Sequence, residues 1–479
     1  MLARVLSVVL LAFPVPVTQP VGTVEEFLVE RMAAVEAPGL SYALANRDRI
    51  VSSGAWGTDG LDRPMTTHTP VGFGSVAKPV TAVAVMRLVD AGVVGLDDQV
   101  TEHLPWFRLA DQEQAERITV RHLLEQTSGL APDDGYARSD LGDNEPGALR
   151  RWVESLADVV PNAEPGERHQ YNPANAQILG AMVEEVSGLT FAEFLDREVF
   201  RPLDMADAVA DASTAAEELP PGHEYYFGGV RVSDAEFDTS GVPYGYLAGS
   251  VTDLAHLATL HTNLGRFHGR QVLSEQAVRD IRRGGPPAAD GHYGLGWRVG
   301  TLDTVGTRIV WHAGASPGYH SILITAPDTG WAVAVQQNVW SPLADEQLNA
   351  AAFGALTIAL GGNPDPPAGS SPGMLLLVGM GALALLLAAG LGSTVRRAVR
   401  RRPRRPWPGA LGWGALGAVA AFGVGLWLPA SVGLTLRHVL LFMPDIGQLS
   451  VAVVVLGSAL VLARLALLPF EPRGRTGTG

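Results

Sequence analysis

The last quarter of this 479-residue chain sets the tightest limit on its fold. Three apolar segments, about Gly373 to Thr394, Gly409 to Leu428 and Gly447 to Leu468, are each long enough to cross a bilayer as a helix. Between the first two lies VRRAVRRRPRRP, with seven arginines from Arg396 to Arg405. Positively charged loops stay on the cytoplasmic side, so the first span is expected to run outside to inside. Residues 21–372 are then extracytoplasmic, the Pro429 to Ile446 loop is outside and residues 471–479 form a cytoplasmic tail. The start of the chain agrees. Arg4 followed by the apolar run Val5 to Phe13 reads as a signal sequence over 1–20, although no A-x-A cleavage signal follows. Asn363 to Pro372, NPDPPAGSSP, reads as a linker that carries few contacts.

Charge divides at the same place. Residues 1–371 hold 24 basic and 47 acidic side chains, and the rest hold 11 and 2. An acidic soluble part argues against nucleic acid as a partner, whereas a basic, apolar tail suits a membrane. There is no cysteine, so disulfides, thiolate nucleophiles and cysteine metal sites are excluded. No metal and no cofactor is expected.

Within residues 21–362 the pattern gives strands at both ends and helices between. Leu40 to Ala45 and Ile50 to Trp56 read as strands joined at Asn46-Arg47-Asp48. Further strands are expected at Tyr293 to Val299, Arg308 to His312, Ser321 to Thr325 and Trp331 to Gln337. Helices are expected from Val24, with Phe27, Leu28 and Met32 as its apolar positions and Pro38-Gly39 closing it, and at Ile118 to Gly129, Ala174 to Gly188, Thr190 to Phe200 and Ser250 to Leu264, the last capped by Ser250 or Thr252. That order predicts an α/β sheet domain with a helical domain inserted in it.

The stretch Phe73 to Gly92 carries the chemistry. Lys78 is the only lysine; histidine aside, each of the other basic side chains is an arginine. A lysine kept once suggests a task that an always-charged guanidinium cannot perform, such as accepting a proton. Gly74 before Ser75 and Pro79 after Lys78 put the serine at the start of a buried helix that Gly92 ends. Three residues apart, Ser75 and Lys78 share one helix face. The free N–H groups of a helix start also suit a developing oxyanion. An N-cap serine beside an ordinary helix lysine is the plain alternative.

Two further segments reverse that balance: Glu164 to Gly180, with Tyr171-Asn172-Pro173, and Trp311-His312-Ala313-Gly314-Ala315-Ser316. With Ser75-x-x-Lys78 they resemble, in order and separation, the motifs of the serine β-lactamase-like hydrolases. That family includes class C β-lactamases, D-Ala-D-Ala carboxypeptidases and esterases. LVDAGVVGLDDQVTEHLP, ITVRHLLEQTSGL, VFRPLDM and YGLGW extend the likeness over about residues 22–340. It implies an α/β fold with an antiparallel sheet flanked by helices and an inserted all-helical domain, to which this chain adds C-terminal transmembrane helices.

The resemblance also implies roles. Ser75 is the nucleophile, and Lys78 and Tyr171 are the candidate bases, their division of labour left open. His312 stands at the strand motif, and Gly314 lets a strand edge approach the substrate. The N–H groups of Ser75 and Ala315 form the oxyanion hole. The family's asparagine two residues after the tyrosine is Pro173 here, which has neither side-chain amide nor N–H. Asn172 or Asn175 is then the replacement contact. With His312 in place of a lysine, carboxylate anchoring is expected to weaken, which favours esters over amides. The expected function is a membrane-anchored extracytoplasmic serine hydrolase acting through an acyl-enzyme on esters or peptides of the cell envelope. The alternative is a penicillin-binding sensor that acylates with little turnover and signals through its spans.

Overall fold

A computed structural model describes residues 23–289, 291–365, 373–400, 408–431 and 434–466. The signal sequence, most of the linker, Arg401 to Arg405 and the C-terminal tail lie outside the described residues.

Eight strands form one sheet: β1 (Gly39–Asn46), β2 (Arg49–Gly57), β3 (Pro287–Ala288), β4 (Gly291–Tyr293), β5 (Arg298–Leu302), β6 (Thr307–Ser316), β7 (Tyr319–Ala326) and β8 (Trp331–Gln337). Their order is β2-β1-β8-β7-β6-β5-β4-β3, antiparallel throughout. Successive side chains alternate between faces. Leu40, Tyr42, Leu44, Ile322, Ile324, Val333 and Val335 meet helices Val24–Ala34 and Asp345–Ala359. Ala43, Ala45, Leu323, Ala332 and Ala334 face the opposite way, into the core shared with the helical domain. The alanines on that face admit helix Val251–Thr262, which Ser250 caps reciprocally with Asp253.

The chain leaves the sheet after β2 through Val71–Gly72, builds the helical domain and returns through Ala248–Gly249, which pairs antiparallel with Val71–Gly72. One expected strand is broken. Tyr293 to Val299 is two strands, because the chain between them turns at Gly296 with φ +77°. A Cβ there would lie 2.7 Å from that of Ala82 and 3.1 Å from the Lys78 carbonyl oxygen, so the sheet presses directly on the helix that carries Lys78. Thr190 to Phe200 is helical only over Phe191–Leu195 before it widens into a π-type turn, Asp196–Phe200.

Three long apolar helices lie at the C-terminus: Gly373–Val399, a second covering Gly412–Ala430, and Pro444–Ala466. They meet through Leu387, Ala420, Val453 and Leu460, and Gly417 and Gly457 bring two backbones close. A short helix, Leu436–Phe442, fills the loop between the second and third and docks on the helical domain. Arg437 donates 2.6 Å hydrogen bonds to the carbonyl oxygens of Ser139 and Asp140, and Asp445 accepts one from the Phe227 N–H at 3.0 Å. These contacts come from the Pro429 to Ile446 loop and not from the linker.

Candidate active site

Ser75 lies in a tight turn, Gly74–Val76, that feeds helix Ala77–Asp90. Gly74 adopts φ +52°, a conformation that suits glycine. Pro79 falls in the first helical turn, where a missing N–H costs nothing. Neither the turn nor the helix is capped by a side chain, so the Ser75 hydroxyl is not spent on an N-cap.

Lys78 is 4% exposed, and its Nζ donates to Ser75 Oγ and to the Tyr244 carbonyl oxygen, both at 3.0 Å. Burial pushes its pKa below the ordinary lysine value; neighbouring Tyr171 works the other way, and Arg298 adds to the lowering. The Nζ lies 4.7 Å from the centroid of the Tyr171 ring. Serine hydroxyl, buried amine and phenol ring therefore converge at one point.

β6 runs along the other side of Ser75. A methyl on Gly314 would lie 2.1 Å from the Phe73 carbonyl oxygen and 2.5 Å from the Ser75 nitrogen. One on Gly74 would lie 2.1 Å from the Ala315 nitrogen. Two glycines thus let the strand and the serine turn meet backbone to backbone. Gly314 lines the cavity, and its closest fit is to the turn that carries Ser75. Ser75 and Ala315 line the same cavity.

His312 is buried, and its ring is fully engaged. Its Nδ1 is 2.6 Å from the Ala313 carbonyl oxygen, which can only accept, so Nε2 accepts from the Tyr293 hydroxyl at 3.2 Å. Burial, with Arg298 and Lys78 nearby, holds its pKa well below the usual value, so this imidazole is neutral.

Asn172 and Asn175 do not reach the cavity. Asn172 caps helix Pro173–Ser187, accepting from the Ala174 N–H at 2.9 Å and donating to the Ala131 carbonyl oxygen at 2.7 Å. Asn175 donates to Gln126 Oε1 at 2.8 Å and accepts from Ser128 Oγ at 2.6 Å. Both are fully buried, so their proposed substitution for the missing asparagine is corrected. Pro173 itself lines the cavity.

Two residues escaped the sequence reading. Arg298 on β5 pairs with Trp311, and its guanidinium lies over the Trp311, Tyr171 and Tyr293 rings at 5.4, 5.7 and 5.9 Å. It puts a fixed cation in the cavity one strand from His312. Tyr244 supplies the carbonyl that holds Lys78, and its hydroxyl donates to Asp140 Oδ1 at 2.9 Å. Burial alone would raise the pKa of Asp140, but hydrogen bonds from His438, Ser139, Tyr244 and Tyr246 outweigh it and hold the carboxyl low. No side-chain cluster among the described residues could hold a metal ion.

The sequence profile of the Beta-lactamase family matches residues 24–356. Penicillin-binding protein 4 of Amycolatopsis lactamdurans is 31% identical over 290 residues, covering 58% of this chain and 74% of that one. Protein flp of Staphylococcus aureus (strain N315) is 24% identical over 319 residues; the match takes in 65% of this chain and only 62% of that relative's length. The octameric penicillin-binding protein homologue from Pyrococcus abyssi shares the fold, with a TM-score of 0.59 and 24% identity over 74% of this chain and 79% of that chain.

Proposed function

The chain belongs to the Beta-lactamase family of serine hydrolases, and on that premise we propose that Ser75 carries an acyl-enzyme intermediate at the outer face of a membrane. The observation that carries this reading is the 3.0 Å hydrogen bond from a buried, pKa-lowered Lys78 to Ser75 Oγ. A serine hydroxyl needs a base within that reach, and burial favours the neutral amine that can act as one. Ser75 Oγ bonds to the carbonyl carbon, and its proton passes to Lys78 or Tyr171. The bond to the alcohol or amine breaks as that group takes the proton. Water then cleaves the Ser75 ester and releases the acid. The Ser75 and Ala315 N–H groups, brought together by Gly74 and Gly314, receive the oxyanion.

Substrate recognition follows from the cavity wall. With His312 neutral, Arg298 is the anchor for a substrate carboxylate or other anion, so carboxylate binding need not weaken as the histidine suggests. Pro173 leaves a substrate amide without the usual side-chain partner, which favours esters with good leaving groups. Esters and amides of the cell envelope are the proposed substrates.

Residues 21–362 are the catalytic domain, preceded by a signal sequence over 1–20. Residues 363–372 are the linker, 373–470 the membrane anchor and 471–479 a cytoplasmic tail. The catalytic domain docks near the start of the first span and the start of the third, while Arg396 and Arg397 sit in the first span's last turn. The positive-inside rule then puts catalysis outside. A second reading, an acylating sensor, draws on the path from Arg437 and His438 through Asp140 and Tyr244 to Lys78.

Labelling by a fluorophosphonate, with mass mapping of the adduct, tests the assignment. Ser75 is expected to carry it, and Ser75→Ala to abolish it without unfolding. An adduct on another serine refutes the reading. A stable acyl adduct that does not turn over favours the sensor.

A further inference from the structure

The cavity that holds Ser75 does not close within the catalytic domain. It has a volume of about 910 Å³ and continues from Ser75, Lys78 and Arg298 to a wall built by the apolar C-terminal segments. That wall is Leu376 of the first span, Val424 and Leu428 of the second, Val439 and Phe442 of the docked helix, and Ile446 of the third. All lie at one end of the bundle: near the start of the first and third spans and near the end of the second. A bilayer would put that end at its interface, opposite Arg396 and Arg397.

The two halves of the cavity differ in chemistry. One end carries a nucleophile and a fixed cation; the other is hydrocarbon-like. A compact polar substrate gains nothing from the second half, and the volume is near the upper end of pockets that enclose a whole ligand. We propose that the substrate is an amphiphile. Its scissile carbonyl sits at Ser75, its polar or anionic part faces Arg298, and a long hydrocarbon chain runs between the catalytic domain and the spans. This rests on the acyl-enzyme reading above and names its substrate class. The spans are then part of the substrate site, and a membrane-dissolved ester or amide reaches Ser75 without leaving the interface.

Two series of esters test it on the full chain in mixed micelles. In p-nitrophenyl acetate through decanoate the chain lengthens on the acyl side; in ethyl through decyl acetate it lengthens on the alcohol side. Each fully buried methylene favours binding by up to about fourfold, so even partial burial gives a steep trend. From shortest to longest member, kcat/KM is expected to rise at least tenfold in one series. Val424→Trp and Leu434→Trp, which fill the apolar half, are expected to reduce that ratio at least fivefold. A second measurement needs no variant. A long-chain fluorophosphonate with a terminal diazirine is attached to Ser75 and photolysed, and its crosslinks are expected in residues 424–446.

A flat response in both series, or crosslinks confined to the catalytic domain, overturns the proposal. A lipid that merely fills the cavity gives the flat response. If short esters are hydrolysed through Ser75 while the trend is flat, only this inference fails. If Ser75 neither labels nor turns over the short esters, the acyl-enzyme reading fails first.

Discussion

Replacing Gly314 by alanine separates the steric design of the site from its fold. The added methyl would lie 2.1 Å from the Phe73 carbonyl oxygen, 2.5 Å from the Ser75 nitrogen and 2.7 Å from the Val76 nitrogen. Carbon and carbonyl oxygen ordinarily meet at about 3.3 Å, so a shift of about 1 Å is required. All three obstacles are backbone atoms, so no side chain can swing aside. β6 is held along Thr307 to Trp311 by β5 and at Gly314 by β7, where it stands opposite Ser321, which leaves the serine turn to move. That turn carries both the nucleophile and one of the two proposed oxyanion donors. A displacement of about 1 Å, or the loss of one donor, costs roughly a hundredfold or more in kcat. Overpacking adds about 1–3 kcal/mol of destabilisation. Gly314→Ala is therefore expected to lower kcat on p-nitrophenyl acetate about a hundredfold, with Tm reduced by a few degrees. Gly229→Ala serves as the control, because a methyl there meets only the Tyr226 carbonyl oxygen at 4.0 Å. Gly314→Ala within twofold of the unmodified enzyme would refute the backbone-to-backbone account of the oxyanion site.

Lys78→Arg is expected to be nearly inactive, since a guanidinium cannot accept the serine proton; full turnover would leave Tyr171 as the base. In the unmodified enzyme kcat/KM should rise with pH and level off below the ordinary lysine value of 10.5, because burial lowers the Lys78 pKa. By linkage, the stability associated with that shift is fully present above 10.5 and is lost as pH falls through the folded-state value, which thermal melts across that range would register. Arg298→Gln should raise KM for an ester bearing a carboxylate about ten- to hundredfold and leave a neutral ester nearly untouched; equal effects on both would remove its anchoring role. A truncated chain ending at Asn363 should still hydrolyse p-nitrophenyl acetate, but at a reduced rate. Without Arg437 and His438, Asp140 loses partners that fix Tyr244, and unchanged kinetics would show that this path does not reach Lys78.

The closeness of Ser75 and Lys78 is legible because its signal is local. Ser75, Lys78 and Pro79 sit in adjacent turns, and a lone lysine stands out in a chain that otherwise uses arginine. The strands β1, β2, β7 and β8 are legible for the same reason: alternation survives within each segment, whatever it pairs with. Arg298 is not, because one arginine among many acquires meaning only when β5 pairs with β6 and sets it beside His312. Asn172 and Asn175 mislead because nearness to Tyr171 in sequence says nothing about direction. The helix that starts at Pro173 needs an N-cap, and Asn172 serves it. Tyr244 acts through a backbone oxygen, to which sequence is nearly blind. The docking of Arg437 on Ser139 and Asp140 joins positions almost 300 residues apart, and no periodicity encodes such a contact.

The departures from the family pattern make sense together. Pro173 removes an amide-binding side chain from the cavity, and His312, neutral and engaged by Tyr293 and its own strand, brings no charge. Taken alone, these changes describe a weakened peptidase. Arg298 restores a cation on the neighbouring strand, and its planar group already stacks on three aromatic rings, so it is held in place before a substrate arrives. The apolar C-terminal helices add an apolar wall. The result exchanges directional contacts to an amide for a fixed charge at one end and hydrocarbon packing at the other. Directional contacts discriminate among peptides; a charge and an apolar wall discriminate for amphiphiles, and they tolerate variation in the group that leaves. On the reading proposed above, the same nucleophile and base serve a different class of carbonyl, because the residues that changed are those assigned to hold the substrate and not those assigned to move the proton.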